Sequence, residues 1–300
     1  MRKILALAVL ASAAACLGQN TLPRPQVTGI SHVAFYSTNL AGAKDFYGGL
    51  FGLWTDPARP NAYHVGAQMV ELEPLPQGHG HDLIAHLAFA TPDAEGMRKY
   101  LASHSVSVPE KVSKGGGDTL WFALKDPEGN SIEFVQERPE LTGRPPEAAV
   151  SKVMIHVGFV VHDRAAEDKF YKDLLGFHLY WQGGNPSDRV DWVMMQVPDG
   201  TDWIEYMLYL PASPSLAQLG SANHLAPGVS SVAELQQRLE QRGWKAPEGR
   251  NPQILGVDGK MQLDLTDPDG TRIEFMEFKP VKDPCCSAYT GPQPGPSSGW

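Results

Sequence analysis

Runs of alternating apolar and polar residues, separated by turns rich in Gly, Pro and Asp, recur along the chain and predict many short strands. In the run 131–136, Ile132 and Phe134 form an apolar face and Glu133 lies on the other face, and the run 271–278 repeats this arrangement around Glu274. Apolar residues at helical spacing predict four helices, at 41–50, 94–103, 165–175 and 232–242. The pattern therefore predicts an α+β fold with more strand than helix.

The same short motifs occur twice in the same order, which indicates an internal duplication. At an offset of 124 residues HVAF, FY and LFGL match HVGF, FY and LLGF, and at an offset of 141 DPEG and IEF match DPDG and IEF. The first copies of these motifs begin at residues 32, 46, 50, 126 and 132. A weaker echo, HLAF at 86–89 and HLAP at 224–227, predicts four units in all, each a strand, a helix and about three strands. The change of offset places an insertion of about 17 residues in the second copy.

The repeats also set the expected domain boundaries. We expect a first domain at 27–138, a linker at 139–150 that contains Pro139, Pro145 and Pro146, and a second domain at 151–280. The tail at 281–300 is rich in Pro, Gly and Ser and is predicted to be disordered. Within it Cys285 and Cys286 are adjacent, so in an oxidising compartment they would form a vicinal disulfide or pair with other chains.

The N-terminus has the pattern of a secretory signal peptide at 1–16. Arg2 and Lys3 form a basic start, residues 4–10 are apolar, and residues 13–15 are small. Cys16 follows directly, as at a bacterial lipoprotein cleavage site, so a lipid anchor at Cys16 and plain secretion are both open. We therefore expect an exported protein that is periplasmic, secreted or lipid-anchored at a bacterial membrane. No other run reaches about 18 apolar residues, so no membrane span is expected.

Composition and charge exclude several classes of function. The 25 basic and 34 acidic residues give a net charge of −9, and an acidic chain without a basic stripe is a poor partner for nucleic acid. The 3 cysteines exclude a disulfide scaffold, a four-cysteine zinc site in the core and an iron–sulfur protein. Hydrophobic residues make up 42% of the chain, which is enough for a core. A small-molecule ligand fits this composition, and the oligomeric state is left open.

His and Glu residues at matched places in both halves are candidate metal ligands. A carboxylate in a strand beside apolar neighbours needs a partner such as a cation or a metal, unless that face of the strand is exposed to solvent. The second half offers His156, Glu205, His224 and Glu274, and the first half offers His32, Glu71, His86 and Glu133, with Glu73 competing for the place of Glu71. Imidazole and carboxylate together suit Zn, Ni, Mn, Fe or Co. The spacing is too wide for a local motif, so the fold must bring these residues together.

The motifs H-[VL]-[AG]-F, FY…L-[FL]-G-[LF] and D-P-[ED]-G-x-x-I-E-F resemble those of the vicinal oxygen chelate superfamily, which includes glyoxalase I, methylmalonyl-CoA epimerase, extradiol dioxygenases and antibiotic-resistance proteins. The resemblance covers nearly all of the two predicted domains. It implies paired βαβββ modules whose curved mixed sheets enclose a divalent metal, with ligands on the first, fourth, fifth and eighth strands. Carried over, these ligands become His156, Glu205, His224 and Glu274, with the first-half set as a second candidate site.

The resemblance implies several reactions, and the residues favour one of them. A glyoxalase- or epimerase-like reaction would use a metal to polarise a carbonyl while Glu274, or else Glu205, moves a proton on the adjacent carbon. An extradiol Fe(II) dioxygenase is less favoured, since that family expects a Tyr where Asp264 stands. The third alternative is a resistance protein that binds a small molecule without turnover.

Aromatic residues on the predicted strands of the second half are candidates for the wall of a ligand pocket. The four residues singled out for this role are Trp181, Trp192, Trp203 and Tyr206. The alternative is that these rings fill the core.

Overall fold

The computed structural model describes residues 22–57, 59–77, 83–136, 147–249 and 251–296. The predicted signal peptide with Cys16 and most of the predicted linker lie outside the described residues. Within these ranges, no helix combines the length and the apolar character that a membrane crossing requires.

Strands dominate both halves, as the alternating pattern predicts. The first half contains β1 (Gly29–Ser37), β2 (Trp54–Asp56), β3 (Arg59–Val65), β4 (Gln68–Pro74), β5 (Ile84–Ala90), β6 (Ser113–Lys114), β7 (Leu120–Lys125) and β8 (Ser131–Gln136). The second half contains β9 (Met154–Val160), β10 (His178–Gly183), β11 (Trp192–Gln196), β12 (Trp203–Met207), β13 (His224–Val229), β14 (Gln253–Leu255), β15 (Met261–Thr266) and β16 (Arg272–Glu277).

Each half forms one curled, mixed sheet of eight strands. The strand orders are β2-β3-β4-β1-β5-β8-β7-β6 and β10-β11-β12-β9-β13-β16-β15-β14. In each module the first strand pairs in parallel with the fourth, and the first strands of the two modules of a half pair antiparallel. The first, fourth, fifth and eighth strands are therefore neighbours at the centre of each sheet. This confirms the α+β fold of tandem βαβββ modules.

The helices lie close to the predicted positions. They are α1 (Leu40–Ala43, continued as a π-helical stretch at Lys44–Leu50), α2 (Ala94–Ser103), α3 (Arg164–Glu167, continued at Asp168–Leu174), α4 (Leu216–Ala222) and α5 (Val232–Gln241). Asn39, Asp93, Asp163 and Ser231 begin four of them by accepting a hydrogen bond from the third residue of the helix. Helix α4 lies between β12 and β13 and was not predicted, although the capping box of Ser215 and Gln218 is a signal for it.

The two sheets share one apolar core, and a pseudo-twofold relation governs their contact. The rings of Phe51 and Phe275, from different halves, pack 5.0 Å apart. The Tyr47 hydroxyl donates to Asp267 Oδ2 at 3.0 Å, and the Tyr171 hydroxyl donates to Asp126 Oδ2 at 3.1 Å. Each half thus anchors the predicted Asp-Pro-x-Gly turn of the other.

A second pair of matched residues, Gln68 and Asp202, lies at the centre of the contact between the halves. Gln68 Nε2 donates to Asp202 Oδ2 at 3.1 Å, and Gln68 Oε1 accepts from Met154 N at 2.7 Å. Asp202 Oδ2 also accepts from Ile30 N at 2.8 Å. Burial raises the pKa of Asp202 to about 8, although the hydrogen bond from Ile30 opposes this shift.

The C-terminal segment differs from the prediction of a disordered tail for the residues that the structure describes. Cys285 N donates to Val257 O at 2.8 Å, Thr290 N donates to Tyr180 O at 3.0 Å, and Gln196 Nε2 donates to Pro292 O at 3.0 Å. Cys285 and Cys286 form a disulfide. Composition misled the prediction because the second sheet supplies the hydrogen-bond partners that this Pro- and Gly-rich segment cannot supply for itself.

Candidate metal centre

The four central strands of the second sheet bring the predicted ligands together. His156 lies on β9, Glu205 on β12, His224 on β13 and Glu274 on β16. The register places Glu205 and His224 on opposite sides of Gly158, in the strands that flank β9. One potential ligand atom from each of the four side chains lies within 4.8 Å of the others, and all four residues are buried. The fold thereby joins residues that are 118 positions apart in the chain, from 156 to 274.

The distances between the ligand atoms fit a single divalent cation. His156 Nε2 and His224 Nε2 are 3.0 Å apart, and Glu274 Oε2 lies 3.1 and 3.2 Å from them. Glu205 Oε2 lies further away, at 3.9 Å from His156 Nε2 and 3.4 Å from His224 Nε2. Two ligands about 2.1 Å from one ion and at right angles to each other would be about 3 Å apart. The two imidazoles and Glu274 match that separation.

A buried polar atom in the set also fits a divalent cation. Glu274 Oε2 is buried among the described residues without a well-formed hydrogen bond, and its nearest polar neighbours are the two imidazole nitrogens at 3.1 and 3.2 Å. A buried carboxylate oxygen that lacks a good hydrogen bond costs about 2 kcal/mol or more. A divalent metal between this oxygen and the imidazole nitrogens would remove that cost, so the residues fit the implied group.

The backbone around His224 fixes which ring nitrogen faces the centre. His224 Nδ1 lies 2.8 Å from the carbonyl oxygen of Ala222, which can only accept, so Nδ1 carries the proton. Nε2 is then the free lone pair that a metal requires. The ring lies flat against Gly158, where a Cβ would come 2.0 Å from His224 Cε1. The glycine of the HVGF motif is therefore a requirement of the site.

An arginine that the sequence analysis did not single out holds Glu274 from the other side. Arg272 Nη1 lies 3.1 Å from Glu274 Oε1 and 3.7 Å from Asp264 Oδ2, and Arg272 Nε donates to Ser221 O at 2.8 Å. Asp264, the residue where dioxygenases would carry Tyr, is directly opposite Glu274 in the β15–β16 pair. Arg272 and Glu274 are two positions apart on one strand, and this i, i+2 spacing was the signal that could have identified Arg272.

The electrostatics of the set favour a charged Glu274. Burial opposes ionisation, but the Arg272 guanidinium and the two imidazoles hold the pKa of Glu274 well below its usual range. Burial lowers the pKa of His156, against the pull of the nearby carboxylates. A neutral imidazole beside an ionised carboxylate is the ligand pair that binds a divalent metal.

The first sheet assembles the equivalent residues less tightly. His32 Nε2 lies 3.1 Å from His86 Nε2 and 3.8 Å from Glu133 Oε2. His32, Glu71 and His86 offer ligand atoms within 4.8 Å of one another. Glu71 pairs with Ala34 as Glu205 pairs with Gly158, so Glu71 is the structural equivalent of Glu205.

Glu73, the competing residue, lies instead 3.4 Å from His86 Nδ1. The side chains of the first set are also more exposed to solvent. Those of His32, His86, Glu133 and Glu71 are 9%, 14%, 14% and 25% exposed, whereas those of the second set are at most 7% exposed. Burial, together with Glu71 and Glu73, raises the pKa of Glu133 to about 7. Burial also lowers the pKa of His86 to about 4.

The four aromatic residues predicted to line a pocket have different positions. Trp203 stacks on the His156 ring at 4.8 Å, and Trp181 and the partly buried Trp192 belong to the same apolar cluster. The prediction for Tyr206 is wrong. Tyr206 follows Glu205 in β12, so its ring lies on the opposite face of the sheet, in the shared core beside Phe159.

Comparison with known proteins places this fold and site in a family. The model of the glyoxalase/bleomycin resistance protein/dioxygenase superfamily matches residues 29–134 and 153–275, and the chain belongs to this superfamily. It is 27% identical over 130 residues to a lactoylglutathione lyase of Haemophilus influenzae, which covers 43% of this chain and 95% of that protein.

Solved structures of the same fold include homoprotocatechuate 2,3-dioxygenases. The structure of the E323L mutant from Brevibacterium fuscum has a TM-score of 0.63 and 18% sequence identity to this protein. The match covers 93% of this chain and 76% of the dioxygenase chain. The enzyme from Arthrobacter globiformis has a TM-score of 0.61 and 17% identity, covering 90% of this chain and 85% of its own. At this level of identity the likeness establishes the fold alone.

Proposed function

We propose that the second domain binds one divalent metal through His156, His224, Glu274 and Glu205, and that the protein is a metal-dependent enzyme of the glyoxalase or epimerase type. The substrate class is a small molecule with adjacent oxygens. The observation that carries the proposal is the buried convergence of two imidazole nitrogens and two carboxylate oxygens within 4.8 Å. When bound, a divalent metal supplies Lewis acidity that makes a C–H beside a carbonyl easier to deprotonate.

The two carboxylates are suited to different tasks in this reaction. Glu274 is held at both ends, by Arg272 at 3.1 Å and by the imidazoles at 3.1 and 3.2 Å, so it is suited to remain a ligand. Glu205 Oε2 has the longer contacts, 3.4 and 3.9 Å, and its side chain is 7% exposed. We therefore propose Glu205, rather than Glu274, as the base that takes the proton. This reverses the order in which the sequence suggested the two residues.

Metal content tests the first part of the proposal. The purified protein should retain about one equivalent of Zn, Ni, Mn, Fe or Co after dialysis, and the melting temperature of stripped protein should rise when one of these metals is added. Absence of both effects would exclude a metalloenzyme.

Proton exchange tests the second part. With metal bound, a panel of small α-hydroxyketones in D₂O should lose the NMR signal of the C–H beside the carbonyl. Measured at saturating metal, which His156, His224 and Glu274 should still bind, Glu205→Gln should slow this exchange by at least about 100-fold, the scale of a general base. Binding without exchange would instead identify a passive binding protein, and oxygen consumption with catechols would identify a ring-cleaving dioxygenase.

We also propose that the protein is exported, on the basis of the basic, apolar and small-residue pattern at 1–16. The mass of the mature protein from a bacterial host distinguishes the alternatives. Cleavage before Cys16 with added acyl chains indicates a lipoprotein, cleavage alone indicates secretion, and an intact N-terminus contradicts export.

A further inference from the structure

The C-terminal segment joins the two ends of the second sheet. Strands β10 and β14 are the end strands of that sheet. Cys285 N donates to Val257 O, just after β14, and Trp181 Nε1 on β10 donates to Cys285 O at 3.1 Å. Further along, Ser287 Oγ accepts from Gln182 N at 2.9 Å. The segment 284–296, which we call the strap, therefore bridges the open side of the curled sheet and satisfies the exposed backbone of its end strand.

Tyr289 places the strap close to the candidate metal ligands. Its ring packs against Tyr180 at 4.8 Å, Tyr180 packs against Trp203 at 5.3 Å, and Trp203 stacks on His156 at 4.8 Å. Trp203 and Tyr180 are both completely buried, at 0% exposure. The strap thus covers the aromatic residues that pack beside His156.

A buried lysine anchors the strap at this end. Lys260 is 0% exposed, and its Nζ donates to Gln293 Oε1 at 2.6 Å and lies 5.3 Å from the centre of the Tyr289 ring. The Tyr289 hydroxyl donates to Asp258 Oδ2 at 2.9 Å. A buried ammonium and a buried carboxylate that are both paired with strap residues would each lose a partner if the strap left. The strap is therefore a built part of the chamber.

The opposite end of the chamber is polar and reaches solvent. Tyr209 is 43% exposed, and the side chains of Asp264 and Arg272 are 31% and 17% exposed. The Tyr209 ring packs 5.8 Å from the Trp192 ring, which lies against the apolar cluster that contains Trp203.

We propose that the strap is a wall of the active-site chamber that determines specificity, and that it limits the centre to small chelating oxygen compounds entering beside Arg272 and Tyr209. This inference rests on the proposed metal centre. The excluded ligands are those that carry an aromatic or similarly bulky group next to the chelating oxygens, because Tyr289 fills the space beside Tyr180 and holds Lys260 over Trp203.

Two hydroxamates with the same chelating group test the proposal. Acetohydroxamate carries a methyl group and benzohydroxamate carries a ring, and both are titrated into the cobalt-loaded protein. Deletion of residues 284–300 should improve benzohydroxamate affinity relative to acetohydroxamate by at least about 10-fold, because a ring can then take the place of Tyr289 against Tyr180. Deletion of residues 297–300 alone is the matched control and should leave the ratio unchanged.

Tyr289→Ala provides the same test without removing the backbone of the strap. It should shift the ratio in the same direction, with the fold of the variant checked by circular dichroism. An unchanged ratio in both variants, with cobalt bound, would overturn the role of the strap and leave the metal centre intact. Failure of the intact protein to bind cobalt would instead overturn the proposed function itself.

Discussion

The two domains carry the same strand order and equivalent His and Glu residues, yet only the second buries its set completely. The difference comes from a few positions around the ligands. Gly158 leaves room for the His224 ring, whereas the equivalent Ala34 places a methyl group opposite His86. Trp203 of the second domain is matched by Met69 in the first, by their pairing with His156 and His32. Small changes beside the equivalent ligand positions of the two domains therefore decide whether the site is buried or exposed to solvent.

Charge around the two sets differs in the same way. Arg272 reaches Glu274 from the same strand, and the equivalent residue in the first domain is Ser131. In the first domain Arg59 lies 3.6 Å from Glu71 but is 53% exposed, so this pair is screened by solvent. The second domain thus holds the pKa of Glu274 well below its usual range, whereas burial with Glu71 and Glu73 raises the pKa of the equivalent Glu133 to about 7.

Removal of an imidazole should produce the largest difference between the domains. We expect His156→Ala to weaken the tightest metal site by at least about 100-fold, since outer-shell partners alone contribute 10- to 100-fold. His32→Ala should leave that site unchanged. Calorimetric titration of stripped protein with zinc measures both. Equal losses in the two variants would show that the domains contribute equally.

Substitutions at the equivalent positions Gly158 and Ala34 test whether one methyl group explains the difference between the domains. Gly158→Ala introduces a Cβ 2.0 Å from His224 Cε1, so the ring must move away from the other ligands. We expect a loss of metal affinity of about 10-fold or more, the effect of a misplaced ligand. Ala34→Gly, the reverse change, should not weaken binding in the second domain. Unchanged affinity in Gly158→Ala would show that the ring position is unimportant.

The pH dependence of stability should depend on Asp202 and not on its counterpart Gln68. The folded-state pKa of Asp202 is about 8 and its unfolded pKa is about 4, so the folded protein binds more protons between these values. The contribution of Asp202 to the free energy of unfolding should therefore be greatest below about pH 4. It should decrease as the pH rises towards about 8, by up to about 1.4 kcal/mol per pH unit.

Asp202→Asn removes the ionisation and keeps an acceptor for Ile30 N. Urea unfolding at pH 5, 6 and 7 should show a flatter pH dependence in the variant than in the parent protein. The same slope in both proteins would contradict the assignment of this decline to Asp202.

The smallest effects should be equal in the two halves. Tyr47→Phe and Tyr171→Phe each remove one hydrogen bond to a buried Asp in the opposite domain, at 3.0 and 3.1 Å. Each should lower the free energy of unfolding by about 1 kcal/mol. Urea unfolding of both variants measures this, and a clear inequality would show that the pseudo-twofold contact is not energetically symmetric.

Much of the fold could be predicted because strand patterns, turns and caps are local. The duplicated Asp-Pro-x-Gly turns, with Gly129 and Gly270 at φ 91° and 95°, form the expected hairpins. The four helices begin within one residue of the expected positions, since short polar side chains cap them. The family resemblance then identified which His and Glu residues would converge.

The sequence by itself determined the duplicated modules and the eight ligand candidates, because these follow from periodicity and repeated motifs, and the family resemblance implied that the first, fourth, fifth and eighth strands carry the ligands. Only the tertiary structure decided that Arg272 holds Glu274, that Gly158 makes room for His224 and that Tyr206 turns into the shared core. It also decided that the C-terminal segment packs on the second sheet. The contact of Gly158 with His224 and the packing of the C-terminal segment join residues far apart in the chain, and such contacts leave no local pattern. For Arg272 and Tyr206 the strand spacing carries a signal, but only the structure shows which partners they reach.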